Sequence, residues 1–138
     1  MRTFILLFIL FIVPPVNPSP IPKIEIEEVE LNPSQLEDFL MALGHQESGN
    51  RYNVVNRFGY MGRYQFGKST LRTLKIKVDK QTFLSNPELQ EYAMLKLLCY
   101  NKNKLQKYID KFEGQEVNGI LVTESGLLAA AHLGGPNS

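Results

Sequence analysis

The sequence predicts a mainly α-helical fold with four or five helices. Asn32-Pro33 and Asn86-Pro87 each place a capping side chain before a proline suited to the first helical turn, and Thr123 caps a third segment. Apolar residues recur at helical spacing after the first of these starts. The length of 138 residues and the hydrophobic content of 43% fit one globular domain with a modest core.

Residues 1–20 are expected to be a signal peptide or a short anchor rather than part of the fold. After Arg2, residues 4–13 form an unbroken apolar run that several prolines end. The run is too short to span a bilayer as a helix but suits the apolar part of a secretory signal. No favourable cleavage triplet follows, so a cleaved signal and a retained anchor both stay open. We expect an exported protein in the periplasm, the cell envelope or the medium.

Residues 21–31, IPKIEIEEVEL, alternate apolar and acidic side chains. Nearby prolines and the strong charge favour a linker over a short strand.

In the domain that follows, at residues 32–138, positions 51–80 carry eight basic side chains against one acid, Asp79. Such a patch would attract an anionic polymer such as nucleic acid or a bacterial cell wall, and a solvated charged face explains it equally well.

The first helix of the domain carries a glutamate on its apolar face. Glu47 lies four residues beyond the last position of an apolar stripe, and Ser48-Gly49-Asn50 ends the helix. The stripe consists of Leu36, Phe39, Leu40 and Leu43. A carboxylic acid that protonates a leaving oxygen must hold its proton near neutral pH, and apolar surroundings favour that neutral form. Glu47 is therefore the candidate catalytic acid, and an ordinary polar helix end is the alternative.

An irregular segment follows the first helix. Residues 50–65 show no regular period and are rich in glycine, asparagine and tyrosine, which predicts a long loop with a small hairpin around Gly59. Residues 66–74 predict a short helix. The loop thus separates the candidate acid from the rest of the helical domain.

The second half of the chain predicts two further helices. One begins at Asn86-Pro87, reaches about Asn101 and resumes toward Phe112. Its one cysteine, Cys99, cannot form an intrachain disulfide and is expected to be a buried structural thiol. A loop at residues 114–119 then precedes the last helix, which two glycines and a proline stop.

Three short motifs occur in order along the domain. They are Glu47-Ser48, Gly59-Tyr60-Met61-Gly62-Arg63-Tyr64-Gln65 and Ala131-His132-Leu133-Gly134-Gly135. They resemble the Glu-Ser, Gly-Leu-Met-Gln and Ala-Tyr-Asn-Ala-Gly motifs of the soluble lytic transglycosylases, a lysozyme-like superfamily. The distance from the glutamate to the glutamine also matches, and the resemblance covers about residues 32–138. The variant forms look like phage-associated and secreted members.

This resemblance implies a lysozyme-like domain that cleaves the β-1,4 bond between N-acetylmuramic acid and N-acetylglucosamine. Glu47 would protonate the glycosidic oxygen and then act as base on the muramoyl 6-hydroxyl or on water. The substrate's acetamido group would stabilise the cationic centre, which removes the need for the usual second carboxylate. No acid occurs between Glu47 and Asp79. Because relatives usually continue with more cleft-forming helix, we expect a truncated or minimal domain.

The resemblance also assigns polar residues and two glycines to the sugar cleft. Gln65 matches the glutamine that lines the cleft in the family, and Ser48 and Asn56 would face the substrate or Glu47. Gly59 and Gly62 would let the backbone approach the glycan, since glycine lacks a side chain.

Other positions depart from the family motifs. Tyr60, Tyr64 and Phe66 would stack on sugar faces, and a place in the core explains them equally well. His132 replaces a tyrosine that hydrogen-bonds the catalytic acid. A histidine can make that bond but titrates near neutral pH, and a satisfied core histidine is the alternative. Leu133 replaces a polar asparagine. Arg63 and Tyr64 replace a leucine and a methionine and would make the cleft more polar.

A non-catalytic cell-wall-binding or structural module with a degenerate cleft is the main rival function. A zinc enzyme is disfavoured, because His45-Gln46-Glu47 lacks the Cys-x-x-Cys partner of the deaminases and no His-Glu-x-x-His occurs. No cofactor or metal is expected. No recognised nucleic-acid module appears, so the expected partner is the glycan strand of peptidoglycan. We expect a monomer that contacts membrane only through its N-terminal segment. Hydrolysis and transglycosylation both stay open.

Overall fold

The computed structural model describes residues 33–135, which form five helices and one small antiparallel hairpin. In chain order the elements are α1 (Pro33–Ser48), α2 (Lys68–Thr73), α3 (Lys80–Leu84), α4 (Pro87–Phe112), β1 (Glu116–Val117), β2 (Ile120–Leu121) and α5 (Glu124–Gly134). The mainly α class and the number of helices predicted from the sequence are confirmed. The predicted signal or anchor, the linker and the cap at Asn32 lie outside the described residues.

No helix within residues 33–135 combines the length and the apolar character needed to cross a bilayer.

Two of the helices begin at the caps that the sequence predicts. Asn86 accepts a hydrogen bond from the backbone N–H of Leu89 at 2.9 Å, and Pro87 occupies the first helical turn. Thr123 accepts one from the N–H of Gly126 at 3.1 Å. Caps of this kind stabilise a helix by about 1 kcal/mol each.

Two elements differ from the sequence prediction. The helix α3 was not expected, because five residues are too few to show a period, although Asp79 caps it by accepting from the N–H of Thr82 at 3.0 Å. The helix α4 runs without a break for 26 residues, because Leu105 and Ile109 continue its buried face beyond Asn101.

The hairpins also lie elsewhere than expected. Strands β1 and β2 pair antiparallel where the sequence predicted a loop. Around Gly59 the chain forms isolated bridges, Val55 with Met61 and Met61 with Phe66, rather than a regular hairpin. A turn is nevertheless present there, since Gly59 has a φ of 87° and its N–H donates to the Asn56 carbonyl at 3.0 Å.

The irregular loop between α1 and α2 supplies part of the core. Met61, Tyr64 and Phe66 are buried among side chains of α1, α2 and α4. The ring of Phe66 meets those of Tyr64 and Phe83 edge-on, with centroids 6.5 and 5.8 Å apart. Aromatic pairs with this geometry add stability beyond the area that they bury. A second, smaller cluster joins α5 to the later part of α4 through Leu105, Ile109 and Ala131.

A buried arginine ties the loop to both long helices. The Arg63 guanidinium donates to Glu91 of α4 at 2.8 Å, to the Tyr52 hydroxyl at 3.0 Å and to Asn50 at 2.8 Å. The Tyr64 hydroxyl donates to the other carboxylate oxygen of Glu91 at 2.6 Å. We call these five residues the Arg63 cluster. It satisfies its charges internally and holds the back of the loop in place.

Close packing at α1 explains a glycine in the middle of that helix. Gly44 is buried, and a Cβ there would collide with the side chains of Asn50 and Arg63. Glycine lowers the intrinsic stability of a helix interior. At position 44 the glycine leaves room for the aliphatic part of the Arg63 side chain to pack against the helix, so the loop packs directly on α1.

Candidate functional site

An open groove of about 560 Å³ lies among α1, the loop, α2, α4 and α5. Its walls include Glu47, Asn56, Tyr60, Gln65, Ser69, Thr70, Thr73, Tyr100, Asn101, Ala131, His132 and Leu133. We call it the Glu47 groove. Five residues predicted from the sequence, Glu47, Asn56, Tyr60, Gln65 and His132, therefore meet in one place although they span 86 positions of the chain.

Glu47 stands at the end of α1 with its side chain turned into the groove. The side chain is 18% exposed, and Oε1 lies 3.7 Å from Nε2 of His132 on α5. Leu43, one turn earlier, is buried, so the glutamate continues the inward face of the helix as predicted. A negative charge near a helix C-terminus is unfavourable. The position therefore does not serve the stability of α1.

His132 is the neighbour of Glu47 across the groove, and its side chain is 8% exposed. Burial lowers the pKa of this imidazole below its ordinary value of 6.5, although the Glu47 carboxylate and a backbone group of Tyr64 act in the opposite direction. Its Nδ1 atom is buried without a hydrogen-bond partner in the described part of the chain. At neutral pH a neutral imidazole therefore faces the glutamate.

The lowered pKa of His132 predicts a pH-dependent stability. The unfolded chain takes up a proton at His132 at a higher pH than the folded protein does, so acid favours unfolding. The stabilisation that a neutral His132 gives to the folded protein is fully present above about pH 6.5. It is lost as the pH falls from there to the lower pKa that His132 has in the folded protein. Urea unfolding of wild type and His132→Gln should show a flatter pH profile for the variant in this window.

If the free energy of unfolding of wild type and of His132→Gln depended equally on pH, the lowered pKa of His132 would be contradicted. A second readout is the NMR titration of the His132 ring. Because the chain has two histidines, a His45→Gln background leaves a single imidazole to follow. Adding Glu47→Gln should lower the pKa of His132 further, since the carboxylate that raises it is gone.

Gln65 lines the Glu47 groove in a strained backbone conformation. Its φ is 52°, in the left-handed region that non-glycine residues rarely adopt. Its side-chain amide donates to the Gly62 carbonyl at 2.8 Å, which fixes the direction of the side chain. Backbone strain of this kind is concentrated at functional sites in proteins. It supports the prediction that Gln65 faces a ligand.

Asn56 and Tyr60 form the outer wall of the groove. Asn56 Oδ1 accepts from the backbone N–H groups of Phe58 and Tyr60, at 2.9 and 3.0 Å, and so shapes the turn between them. Tyr60 is 45% exposed, and its ring lies over Gly67. An exposed ring beside a groove offers a flat apolar face for a sugar.

Three predicted substrate-binding residues do not line the groove. Ser48 is buried, donates to the Arg63 carbonyl at 2.8 Å and accepts from the N–H of Arg51 at 2.9 Å. Gly62 is buried with a φ of 75°, and a Cβ there would collide with the Gln90 side chain. Both residues serve the packing of the loop against its neighbours.

Tyr64 is the third, and the prediction that it stacks on a sugar face is wrong. The side chain is fully buried and its hydroxyl belongs to the Arg63 cluster. Burial, followed by the bond to Glu91, raises the pKa of this phenol far above its ordinary value. Arg63 is likewise turned away from the groove, so it does not make the cleft more polar. The core alternative holds for Tyr64.

Sequence reasoning missed one groove residue of special interest, Asn101. It is 1% exposed, and neither its Oδ1 nor its Nδ2 has a hydrogen-bond partner within residues 33–135. Such an unpaired buried amide is rare in native proteins. The available signal was its position: Asn101 replaces an apolar residue in the helical series Leu97, Asn101, Leu105.

Among the described residues, no three His, Cys, Asp or Glu side chains come together as a metal site. Comparisons with known proteins found no match: no protein-family model, no curated protein and no solved structure matches the chain.

Proposed function

We propose that this protein cleaves the β-1,4 bond between N-acetylmuramic acid and N-acetylglucosamine in peptidoglycan, with Glu47 as its single acid and base. The fold proposed for this purpose is a lysozyme-like domain. The observation that carries the proposal is the position of Glu47, half-buried in an open groove opposite a neutral His132. The predicted Asn56, Tyr60 and Gln65 lie in the same groove.

The proposed reaction needs only one protein carboxyl group. Glu47 donates its proton to the glycosidic oxygen as the bond breaks, and then removes a proton from the muramoyl 6-hydroxyl or from water. A neutral His132 would donate from Nε2 to the carboxylate in one tautomer and accept from the carboxylic acid at Nε2 in the other, with the ring proton then on Nδ1. Hence the neighbour does not have to change its charge during the cycle.

The groove walls support a mechanism assisted by the substrate. Glu47 is the only acidic residue among the side chains that line the groove in residues 33–135. A carboxylate partner for a two-carboxylate mechanism is therefore not at hand, and the acetamido oxygen of the sugar would stabilise the cationic centre instead. The amides of Asn56 and Gln65 are suited to hydrogen-bond sugar hydroxyl and acetamido groups.

Product analysis tests this proposal directly. The full chain is incubated with purified peptidoglycan, and the released fragments are identified by mass spectrometry. We expect disaccharide-peptide fragments that end in muramic acid. Fragments lighter by one water than hydrolytic ones identify transglycosylation, and fragments of full mass identify hydrolysis. Sedimentation with the cell wall without release of fragments would instead support the non-catalytic wall-binding module.

The proposed substrate lies outside the cytoplasm, and the apolar run at residues 4–13 supports export. The N-terminal segment would then be either removed or kept as a membrane contact. We propose that the domain works as a monomer on glycan strands.

Asn101 is expected to favour ligand binding at the expense of stability. A buried polar group without a partner lowers stability by about 1–3 kcal/mol. Asn101→Ala should therefore raise the free energy of unfolding, measured with urea, and weaken retention on peptidoglycan. The control is Asn103→Ala on the exposed face of α4, which gains only helix propensity of about 0.6 kcal/mol. A gain no larger than the control's would contradict the prediction.

A further inference from the structure

A second groove, of about 540 Å³, lies on the opposite side of α2. Its floor is apolar and consists of Met61, Leu71, Ile76 and Val78. Its rim carries five basic side chains, Lys68, Arg72, Lys75, Lys77 and Lys80. We call it the basic groove. Positions 68, 71, 72 and 75 face it, whereas positions 69, 70 and 73 face the Glu47 groove, so α2 is a shared wall.

The positive charge of the basic groove is only partly neutralised by the residues around it. All five basic side chains are exposed, and none forms an ion pair with another residue in the range 33–135. The lining contains one acid, Asp79, whose carboxylate accepts from the N–H and the hydroxyl of Thr82 at 3.0 and 2.6 Å and keeps its negative charge. Five positive charges against one negative leave an excess that would attract a negatively charged ligand.

We propose that residues 24–31 of this same chain bind in the basic groove. The segment reads IEIEEVEL and consists of four acidic and four apolar residues. The acidic side chains match the rim, and the apolar ones match the floor. An anionic polymer without apolar groups would satisfy only the rim and leave the floor in contact with water, which the hydrophobic effect disfavours. The observations therefore favour an acidic, amphipathic peptide.

The distance along the chain permits this contact. Ile24 is nine residues before Pro33, where α1 begins, and a chain spans at most about 3.3–3.6 Å per residue. Ile24, at the far end of the segment, can thus lie up to about 30 Å from Pro33, whereas a domain of about 100 residues has a radius of gyration near 13 Å. Leu31, at the near end, stays within about 7 Å of Pro33. A short tether also gives an effective concentration in the millimolar range, which suffices for individually weak surface contacts.

Binding there would connect the N-terminal segment to the proposed catalytic domain through α2. The segment would lie against the face of α2 that carries Leu71 and Arg72. The other face of the same helix presents Ser69 and Thr73 to the Glu47 groove. Bound residues 24–31 would then stabilise the position of α2, which is one wall of that groove, instead of serving only as a linker.

Zero-length cross-linking tests the proposal. The full chain, kept in mild detergent because of the apolar run at residues 4–13, is treated with a carbodiimide that joins neighbouring carboxylates and amines. We expect peptides that join residues 25–30 to Lys75, Lys77 or Lys80, with loss of the product at high salt. Lys104 and Lys107, exposed on α4, are the control amines in the same molecule. Even distribution over both sets, or no cross-links at all, would overturn the proposal.

Two further arms make the result specific. An equal mixture of unlabelled and ¹⁵N-labelled protein should give cross-links of a single isotope type, and mixed pairs would show binding to a second molecule and overturn the proposal. Lys75→Glu/Lys77→Glu should abolish the cross-links to the remaining Lys80, whereas Lys104→Glu/Lys107→Glu should leave them unchanged. All four positions are exposed, so circular dichroism should report an unchanged fold. The proposal does not depend on glycan cleavage.

Discussion

Replacing Glu47 by glutamine is expected to reduce the rate of glycan cleavage by roughly 10³-fold, because general acid–base catalysis by one group contributes about 10²–10⁴-fold. Glutamine has nearly the same shape, but its amide cannot replace the carboxyl group as a proton donor. The change corresponds to about 4 kcal/mol in the activation barrier. The rate of fragment release from purified peptidoglycan, together with clearing zones in gels that contain cell wall, measures the effect.

Glu37→Gln is the matched control for this experiment. Glu37 is an exposed glutamate on the same helix, ten residues before Glu47. Its replacement should leave both activity and stability unchanged. The Glu47→Gln variant should remain folded, since glutamine has nearly the same shape as glutamate. Equal rates of cleavage by wild type and Glu47→Gln would exclude the proposed acid role.

Replacing Arg63 by methionine is expected to lower the free energy of unfolding by about 3 kcal/mol. Methionine preserves the apolar stem that crosses Gly44 but removes the charge that faces Glu91. Breaking a buried ion pair from one side typically destabilises a protein by about 3–5 kcal/mol. We expect a value at the lower end, because the Glu91 side chain is 30% exposed and Tyr52 and Tyr64 still donate to its carboxylate. Urea unfolding measures the change.

Arg57→Met provides the comparison. Arg57 is an exposed arginine in the same loop, and its guanidinium lies over the ring of Phe58. Its replacement should change stability by no more than about 0.5 kcal/mol. The double variant Arg63→Met/Glu91→Leu should recover part of the loss, because it leaves no unpaired charge. A loss for Arg63→Met as small as that for Arg57→Met would show that the Arg63 cluster does not stabilise the loop.

The parts of the fold that the sequence predicted correctly are those that local interactions decide. A cap such as Asn86 or Thr123 contacts a residue three positions away, and an apolar stripe is visible within one helix. The helix α3 was missed because it is shorter than two turns. The direction of side chains in the loop was not readable, because it depends on Gln90 and Glu91, which lie some 27 residues further along the chain.

The residues of the candidate site likewise include some that the sequence could predict and some that it could not. Glu47 follows from the helical period, and Tyr60, Gln65 and His132 follow from the order of the motifs. Asn56 lies outside the motifs and follows from the polar position that the resemblance assigns to it. Tyr64 directly precedes Gln65 yet points the opposite way, because an irregular backbone has no period from which its facing could be deduced. Asn101 was missed for another reason. An asparagine in a helix looks ordinary until its surroundings show that both polar atoms lack partners.

The Arg63 cluster also has a consequence for how this protein could change over time. The loop between α1 and α2 is fastened on its inner side by Arg63, while Asn56 and Tyr60 on its outer side are exposed. Randomising Tyr60 should therefore yield mostly folded proteins with altered ligand preference, whereas randomising position 63 should yield few. Directed evolution of new ligand specificities would begin at Tyr60, where substitutions should have little effect on the stability of the fold.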